Sequence, residues 1–353
     1  MTGQATAVSG SVVTTDPRPR YPLLVVLVGC GIAGVLIAFV LTGTAAVPGI
    51  VAPNTAVALG LPLSRMLVDV SAVVTVGMSL LPKLALSDRP KRLSAALSSA
   101  RLIAVVSAGV WLVAALASLF LENLDTNAGV AFSWGELGDY IKQIGEGQAL
   151  IVVAACALIY VVIGLLAVRN GEEVPAELRI TVAVFTLLPL SITGHAAFGV
   201  QSLRDLGLIS IELHVVAAVA WTGGLLAVIM LLVLDRQLLG DALPRFSKLA
   251  TVCVFLTGFT GLFNGWYELY STPGIHWYVA VFTTGYGWIL IGKIVCVGLA
   301  GLLGGYTRFR LLPQIVERRT TAVLSWATME VGVLALAFGL AAVLIRAPVV
   351  TAS

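Results

Sequence analysis

Few side chains in this 353-residue sequence are able to do chemistry, and nearly all of them lie in apolar surroundings. Only 3 histidines occur. His195 and His214 flank the segment "QSLRDLG", and His276 lies beside Trp277. A neutral imidazole nitrogen binds copper, zinc or haem iron. Paired histidines therefore point to a metal site, to a haem, or to structural histidines bonded across a helix interface. Met66 and Asp69 are three apart and share a helical face. A thioether favours Cu(I), a carboxylate favours harder ions, and a methionine also fills packing gaps. Lys293 and Glu330 stand deep inside long apolar runs, where an ionisable group is costly and marks a functional position. The two read as a midplane pair, either a structural neutralisation of two charges or a step on a cation or proton path. Cys30, Cys156, Cys253 and Cys296 all fall in apolar stretches and form no CxxC motif, so they read as small buried hydrophobes. No nucleotide-binding loop and no hydrolytic or redox motif is present, so an enzyme is not expected.

The elements that hold these residues follow from composition. The chain is 59% hydrophobic and 11% charged, against about 25% charged for a soluble domain, and its mean hydropathy is +1.01. This is the profile of an all-α, multi-pass bundle in the plasma membrane. A spanning helix needs about 20 apolar residues. About nine such runs are present, near 22–44, 64–82, 101–121, 149–168, 180–200, 210–234, 248–266, 284–305 and 322–345. The runs are rich in Leu, Ala and Gly and lack the alternation of barrel strands. Residues 1–20 are polar and small and read as a disordered cytoplasmic tail. Residues 21–180 form a four-helix membrane region and 181–348 a five-helix one.

Most of the 21 Lys and Arg residues fall on alternate loops. They include Arg18 and Arg20, then Lys83 to Arg101, Arg169 and Arg179, Arg236 to Lys248, and Arg308 to Arg319. The positive-inside rule makes that side, and the N-terminus, cytoplasmic. The net charge of +3 is explained by topology and does not imply nucleic acid. On the outer side, the 122–147 loop is acidic. The 267–287 loop is aromatic, with Trp277, Tyr278 and Tyr286 suited to an interfacial belt.

With these spans, His195 and His214 lie on antiparallel neighbours at roughly 7 Å below the outer helix ends. His214, Ala217, Ala218, Trp221 and Leu225 share one stripe, and Ser191, His195, Phe198 and Ser202 another. His276, in an outer loop, is placed to complete a three-imidazole cluster. Small residues four apart, such as Cys30/Gly34, Ala220/Gly224 and Ala300/Gly304, signal close helix packing.

The second half resembles a known family. "LHVVAAVAWTGGLLAV" is similar to the His-(x)6-Trp-x-Gly-Gly-Leu helix of the CopD family of copper-resistance membrane proteins. "RFSKLA" at 245–250, "TGFTG" at 257–261, "TTGYGWILIGK" at 283–293, "GGYTRFR" at 304–310 and Glu330 follow in the family's order. The resemblance covers roughly residues 185–348. It implies copper handling at the plasma membrane, with copper bound at an outer site of His195, His214 and His276 and moved inward or passed to an assembly partner. The implied partners are a CtaG-like domain, often fused in actinobacterial members, or an extracytoplasmic copper chaperone. The family is also distantly similar to di-haem cytochrome b bundles. A b-type haem electron carrier, or an assembly factor without a ligand, therefore stays open beside the copper reading. With 5 Met in the chain, bulk copper storage is not expected.

Overall fold

The computed structural model describes residues 20–42, 54–85, 90–189, 204–272, 274–316 and 322–349. The helices are α1 (Pro22–Thr42), α2 (Thr55–Leu84), α3 (Pro90–Thr126), α4 (Trp134–Gln143), α5 (Gly145–Asn170), α6 (Ala176–Phe185), α7 (Arg204–Leu232), α8 (Arg236–Ser271), α9 (Trp277–Thr283), α10 (Gly285–Tyr306), α11 (Leu312–Val316) and α12 (Val323–Leu344). Among the described residues, eight helices are long and apolar enough to cross a membrane: α1, α2, α3, α5, α7, α8, α10 with its continuation to Ile315, and α12. The protein is an all-α multi-pass membrane bundle. The span expected at 180–200 begins as α6, and its remainder lies outside the described residues, as does the tail up to residue 19.

Polar caps start several helices where the sequence provides them. Asn54 accepts from the Ala56 N–H (3.1 Å), Asp235 from those of Gln237 and Leu238 (3.0 and 3.2 Å), and Thr284 from that of Gly287 (3.0 Å). Helices α2 and α7 form the centre, most of their residues being buried, while α8 and α10 turn much of their surface to lipid. Lipid gives helices no hydrophobic reason to associate, so close packing and hydrogen bonds must do it. Both are present. A Cβ on Gly77 of α2 would lie 2.1 Å from the Gly223 carbonyl oxygen of α7, and one on Gly339 of α12 would lie 2.0 Å from that of Gly31 in α1. These pairs touch backbone to backbone. Around α2, Ser107 of α3 donates to the Ser71 carbonyl (2.9 Å), Ser118 of α3 to Ser64 (3.0 Å), and Tyr160 of α5 bonds Ser79 (2.6 Å).

One buried core runs from α1 to α12, so the regions 21–180 and 181–348 share their interior. The contacts α1 with α12 and α2 with α7 join them. Charge pairs tie the two ends. At the basic end, Arg92 bonds Asp235 (3.0 Å), Arg101 bonds Glu172 (2.6 Å) and Lys83 bonds Glu177. At the opposite end, Arg346 bonds both Glu122 (2.5 Å) and Asp125. Helix α4 lies at that same end, where Tyr140 packs on Gly147.

Candidate functional site

Helices α2, α7, α8, α10 and α12 enclose a cavity of about 310 Å³. Its walls are mostly apolar, and its polar groups are arranged by depth. Glu268 near the end of α8 and Tyr286 at the start of α10 lie toward the end of the bundle opposite the basic one. His214, Lys293, Arg65 and Asp69 come deeper, and Trp221 and Thr222 lie beyond them.

The position of His214 is set from α8. Its Nδ1 lies 3.1 Å from the Thr257 carbonyl oxygen and 3.2 Å from Thr260 Oγ1. A carbonyl only accepts, so Nδ1 carries the proton and donates. The Thr260 hydroxyl proton is spent on the Leu256 carbonyl (2.5 Å), which leaves its oxygen free to accept from the imidazole as well. The ring lies over Gly261, where a Cβ would be 2.9 Å from Cε1. The segment "TGFTG" is therefore a seat for this imidazole. With Nδ1 protonated, the lone pair is on Nε2, and no described residue bonds Nε2. An imidazole anchored through one nitrogen and open at the other is the usual form of a metal-binding histidine.

The tail of the α10 motif has a matching logic. Tyr286, Leu290 and Lys293 recur at helical spacing and all line the cavity. Gly285 approaches the Leu41 carbonyl of α1, where a Cβ would lie 2.6 Å away, and Thr284 caps the helix. From α2 come Arg65 and Asp69, 3.5 Å apart. Lys293 lines the same cavity as Asp69 and His214. Thr222 and Thr257 are buried, and their hydroxyl oxygens lack a hydrogen-bond partner, as does Nδ2 of Asn264. An apolar cavity that ends in a few unsatisfied polar groups is built to take something polar. No Cys or Met side chain lines it.

The residues singled out in the sequence are distributed differently from expectation. His195 and its stripe lie outside the described residues. His214 lies in the cavity, ten residues and roughly 15 Å along α7 from Arg204, because the helix starts earlier than 210. His276 is exposed, precedes α9 at its cap, and stacks on Tyr278 with centroids 5.4 Å apart. It does not line the cavity, so the third imidazole is not brought to His214. Among the described residues, no three His, Cys, Asp or Glu side chains group to hold a metal ion. Lys293 and Glu330 are not paired. No ion pair joins Lys293 to Glu330 among the described residues, Lys293 faces the cavity, and Glu330 accepts from the Trp221 indole N–H at 3.1 Å. The reason is axial: Gly292 of α10 meets Leu340 of α12 while Gly304 meets Glu330, so Glu330 lies ten residues, roughly 15 Å, along α12 from the level of Lys293. Tyr286 departs from the expected interfacial belt and is buried at 6% exposure, while Trp277 and Tyr278 remain exposed. Met66 is buried with its sulfur against Gly31 of α1, a packing role, while Asp69, also on α2, turns to the cavity. Cys253 and Cys296 are buried and Cys30 and Cys156 partly so, all four as free thiols.

Arg65, Asn264 and Glu268 were not singled out by sequence reasoning. Arg65 and Asn264 could have been found as rare polar residues inside the spans 64–82 and 248–266, whereas Glu268 falls in the 267–287 loop and carried no such signal. Among the glycines, Gly34, Gly224 and Gly304 make the close contacts their spacing implied. Gly29 and Gly305 meet nothing, and the tightest pairs, Gly77/Gly223 and the approach of Gly339 to Gly31, join helices far apart in sequence.

Two family patterns match the chain. Copper resistance protein D matches residues 240–344, and the copper resistance protein D-like N-terminal domain matches residues 54–203. The copper transport protein CutJ of Bacillus subtilis (strain 168) is 28% identical over 173 residues, which is 47% of this chain and 30% of that protein. The match thus spans under a third of the curated relative. No solved structure matches the chain.

Proposed function

Since the chain belongs to the copper resistance protein D family, we propose that it is a copper transport and homeostasis protein whose cargo contacts Nε2 of His214 in the central cavity. The observation that carries this reading is the seating of His214. Its Nδ1–H is committed to the Thr257 carbonyl, and its open nitrogen belongs to a cavity lined by nitrogen and oxygen donors. Glu268 lies in the same wall and favours a cation, while Asp69 is shared with Arg65. Lys293 opposes one, so copper is held loosely here. A conducting site must bind well enough to admit an ion and weakly enough to release it. One anchored imidazole, rather than a closed three- or four-ligand cage, meets that requirement.

Glu268 and Tyr286 mark the end of the cavity away from the basic loops, which the positive-inside rule makes the extracytoplasmic side. Copper arriving there from solution or from a chaperone would move inward, or pass to an assembly partner such as a CtaG-like domain. The role in this reading is binding and translocation. Metal analysis of the purified chain tests the reading. Wild type is expected to retain copper after dialysis against a weak chelator, and His214→Ala to lose most of it. Equal copper in the two proteins overturns the site, and a strong Soret band in the wild type would mean haem instead.

A further inference from the structure

Below the cavity lies a carboxyl group that the copper reading leaves unused. Glu330 of α12 is 3% exposed and sits seven residues from the basic end of its helix. Its one hydrogen bond among the described residues is from Trp221 Nε1. Trp221 is also a wall residue of the cavity, so a single indole separates Glu330 from the space that holds His214. Room beside the carboxyl is kept by Gly304 of α10, where a Cβ would lie 3.1 Å from Oε1. Thr307, one turn further, is buried with its hydroxyl oxygen unpartnered.

Among the described residues, no ion pair is made to this carboxyl. The described titratable and charged groups on the elements packed against α12 are directed elsewhere, and on α7 Asp205, Glu212 and His214 stand seven or more residues from Trp221, toward the opposite end, with His214 held by Thr257 and Thr260. On α10, Lys293 faces the cavity and Tyr306 stacks on Trp326 (4.3 Å). In the π-helical turn Thr307–Leu311, Arg308 bonds Thr251 and the Ser247 carbonyl of α8, and Arg310 is exposed. On α2, Arg65 and Asp69 line the cavity and Lys83 pairs with Glu177. On α1, Cys30 touches Gly332. A charge buried in a membrane protein without a partner is too costly to persist, so Glu330 needs either a proton or a visiting cation. Its hydrogen-bond partner suits both states. An indole N–H only donates, and it can donate to a carboxylate or to the carbonyl oxygen of the acid. An arginine or lysine there would lock the group ionised.

We infer that Glu330 is a proton-exchange group that couples copper passage to proton movement. This inference rests on the copper reading above. A copper cation arriving from the cavity side past Trp221 takes a lone pair from the carboxyl oxygen as the O–H bond breaks, and the proton leaves toward the side the copper came from. When copper departs to the other side, the oxygen recovers a proton from that side. No electron is transferred. Copper and protons therefore move in opposite directions through one buried carboxyl.

The test uses the full chain reconstituted in liposomes, with a copper probe and a pH dye inside. For one-for-one exchange of a monovalent cation, a pH difference of one unit sustains about a tenfold copper gradient at equilibrium. Wild type is expected to show that gradient and to shift the lumen pH as copper moves. Glu330→Gln is expected to lose both responses while still binding copper at His214 in dialysis, which shows that it is folded. Glu330→Asp is expected to restore them. Wild type carrying copper with no response to pH overturns the coupling, and so does Glu330→Gln with an unchanged pH response. A wild type that binds no copper in dialysis overturns the copper reading itself, and that result is read before any pH measurement.

Discussion

Replacing Gly261 by alanine probes the imidazole seat without touching a metal donor. A Cβ at this position would lie 2.9 Å from Cε1 and 3.3 Å from Nδ1 of His214. The first distance is shorter than side-chain carbons tolerate, so the ring must move. The movement breaks or stretches both contacts that orient it, to the Thr257 carbonyl at 3.1 Å and to Thr260 Oγ1 at 3.2 Å. At about 1 kcal/mol net for each hydrogen bond, the loss of preorganisation is about 2 kcal/mol, or about a 30-fold weaker copper affinity. That falls within the roughly 10–100-fold range seen when the outer partner of a metal ligand is removed. Gly258 provides the internal control. It lies on the same helix less than a turn away, and a Cβ there meets nothing within 4 Å. Both substitutions change helix propensity alike, so their difference reports the contact with His214. The assay is competition with a chelator of known copper affinity, on purified full-length protein. Gly258→Ala is expected to bind as wild type does. A Gly261→Ala protein within about twofold of wild type would refute the argument that Thr257, Thr260 and Gly261 seat the imidazole.

Three further predictions follow from the geometry. His276→Ala leaves copper affinity unchanged in the same titration, because His276 stacks on Tyr278 away from the cavity; a loss comparable to that of His214→Ala would place it in the site. Gly339→Ala pushes α12 off α1, since its Cβ would lie 2.0 Å from the Gly31 carbonyl oxygen. The expected cost is about 1–3 kcal/mol, read as a lower thermal midpoint, with Gly298→Ala, which meets nothing, as the neutral comparison. Asp235 lies in the turn before α8. Burial raises its carboxyl, but the Arg92 guanidinium and the Leu238 and Gln237 N–H groups outweigh it and hold the group below the usual carboxylate range. A carboxyl depressed on folding adds stability that is fully present above its unfolded value near ~3.9 and is lost as pH falls through its lower folded value. Asp235→Asn keeps the capping oxygen and loses the charge. The stability gap between wild type and this variant is therefore expected to narrow below about pH 4, and a gap that is constant from neutral to acid pH would count against the assignment.

The sequence alone determined where the chain crosses the membrane. A span must be about 20 apolar residues long whatever it packs against, so α1, α2, α3, α5, α7, α8, α10 and α12 could be found from hydropathy alone. It also narrowed the chemistry, because polar groups at membrane depth are costly and few; His214, Lys293, Asp69 and Glu330 were visible for that reason. The "TGFTG" and "WTGG" segments were legible as motifs but not as a mechanism. Only the tertiary structure shows that the first seats His214 and that, in the second, Trp221 reaches Glu330 while Gly223 lets α7 touch α2. Partnership was decided there as well. Lys293 and Glu330 were placed together by depth counted from span ends that the sequence locates only to within several residues. The packing of α10 on α12 sets Lys293 level with Leu340 and Glu330 level with Gly304, so one residue reaches the cavity and the other reaches Trp221 below it. Arg65 and Asp69 joined the site from the first half of the chain because Gly77 and Gly223 bring α2 and α7 into backbone contact. That pairing of helices distant in sequence leaves no periodic trace in either one.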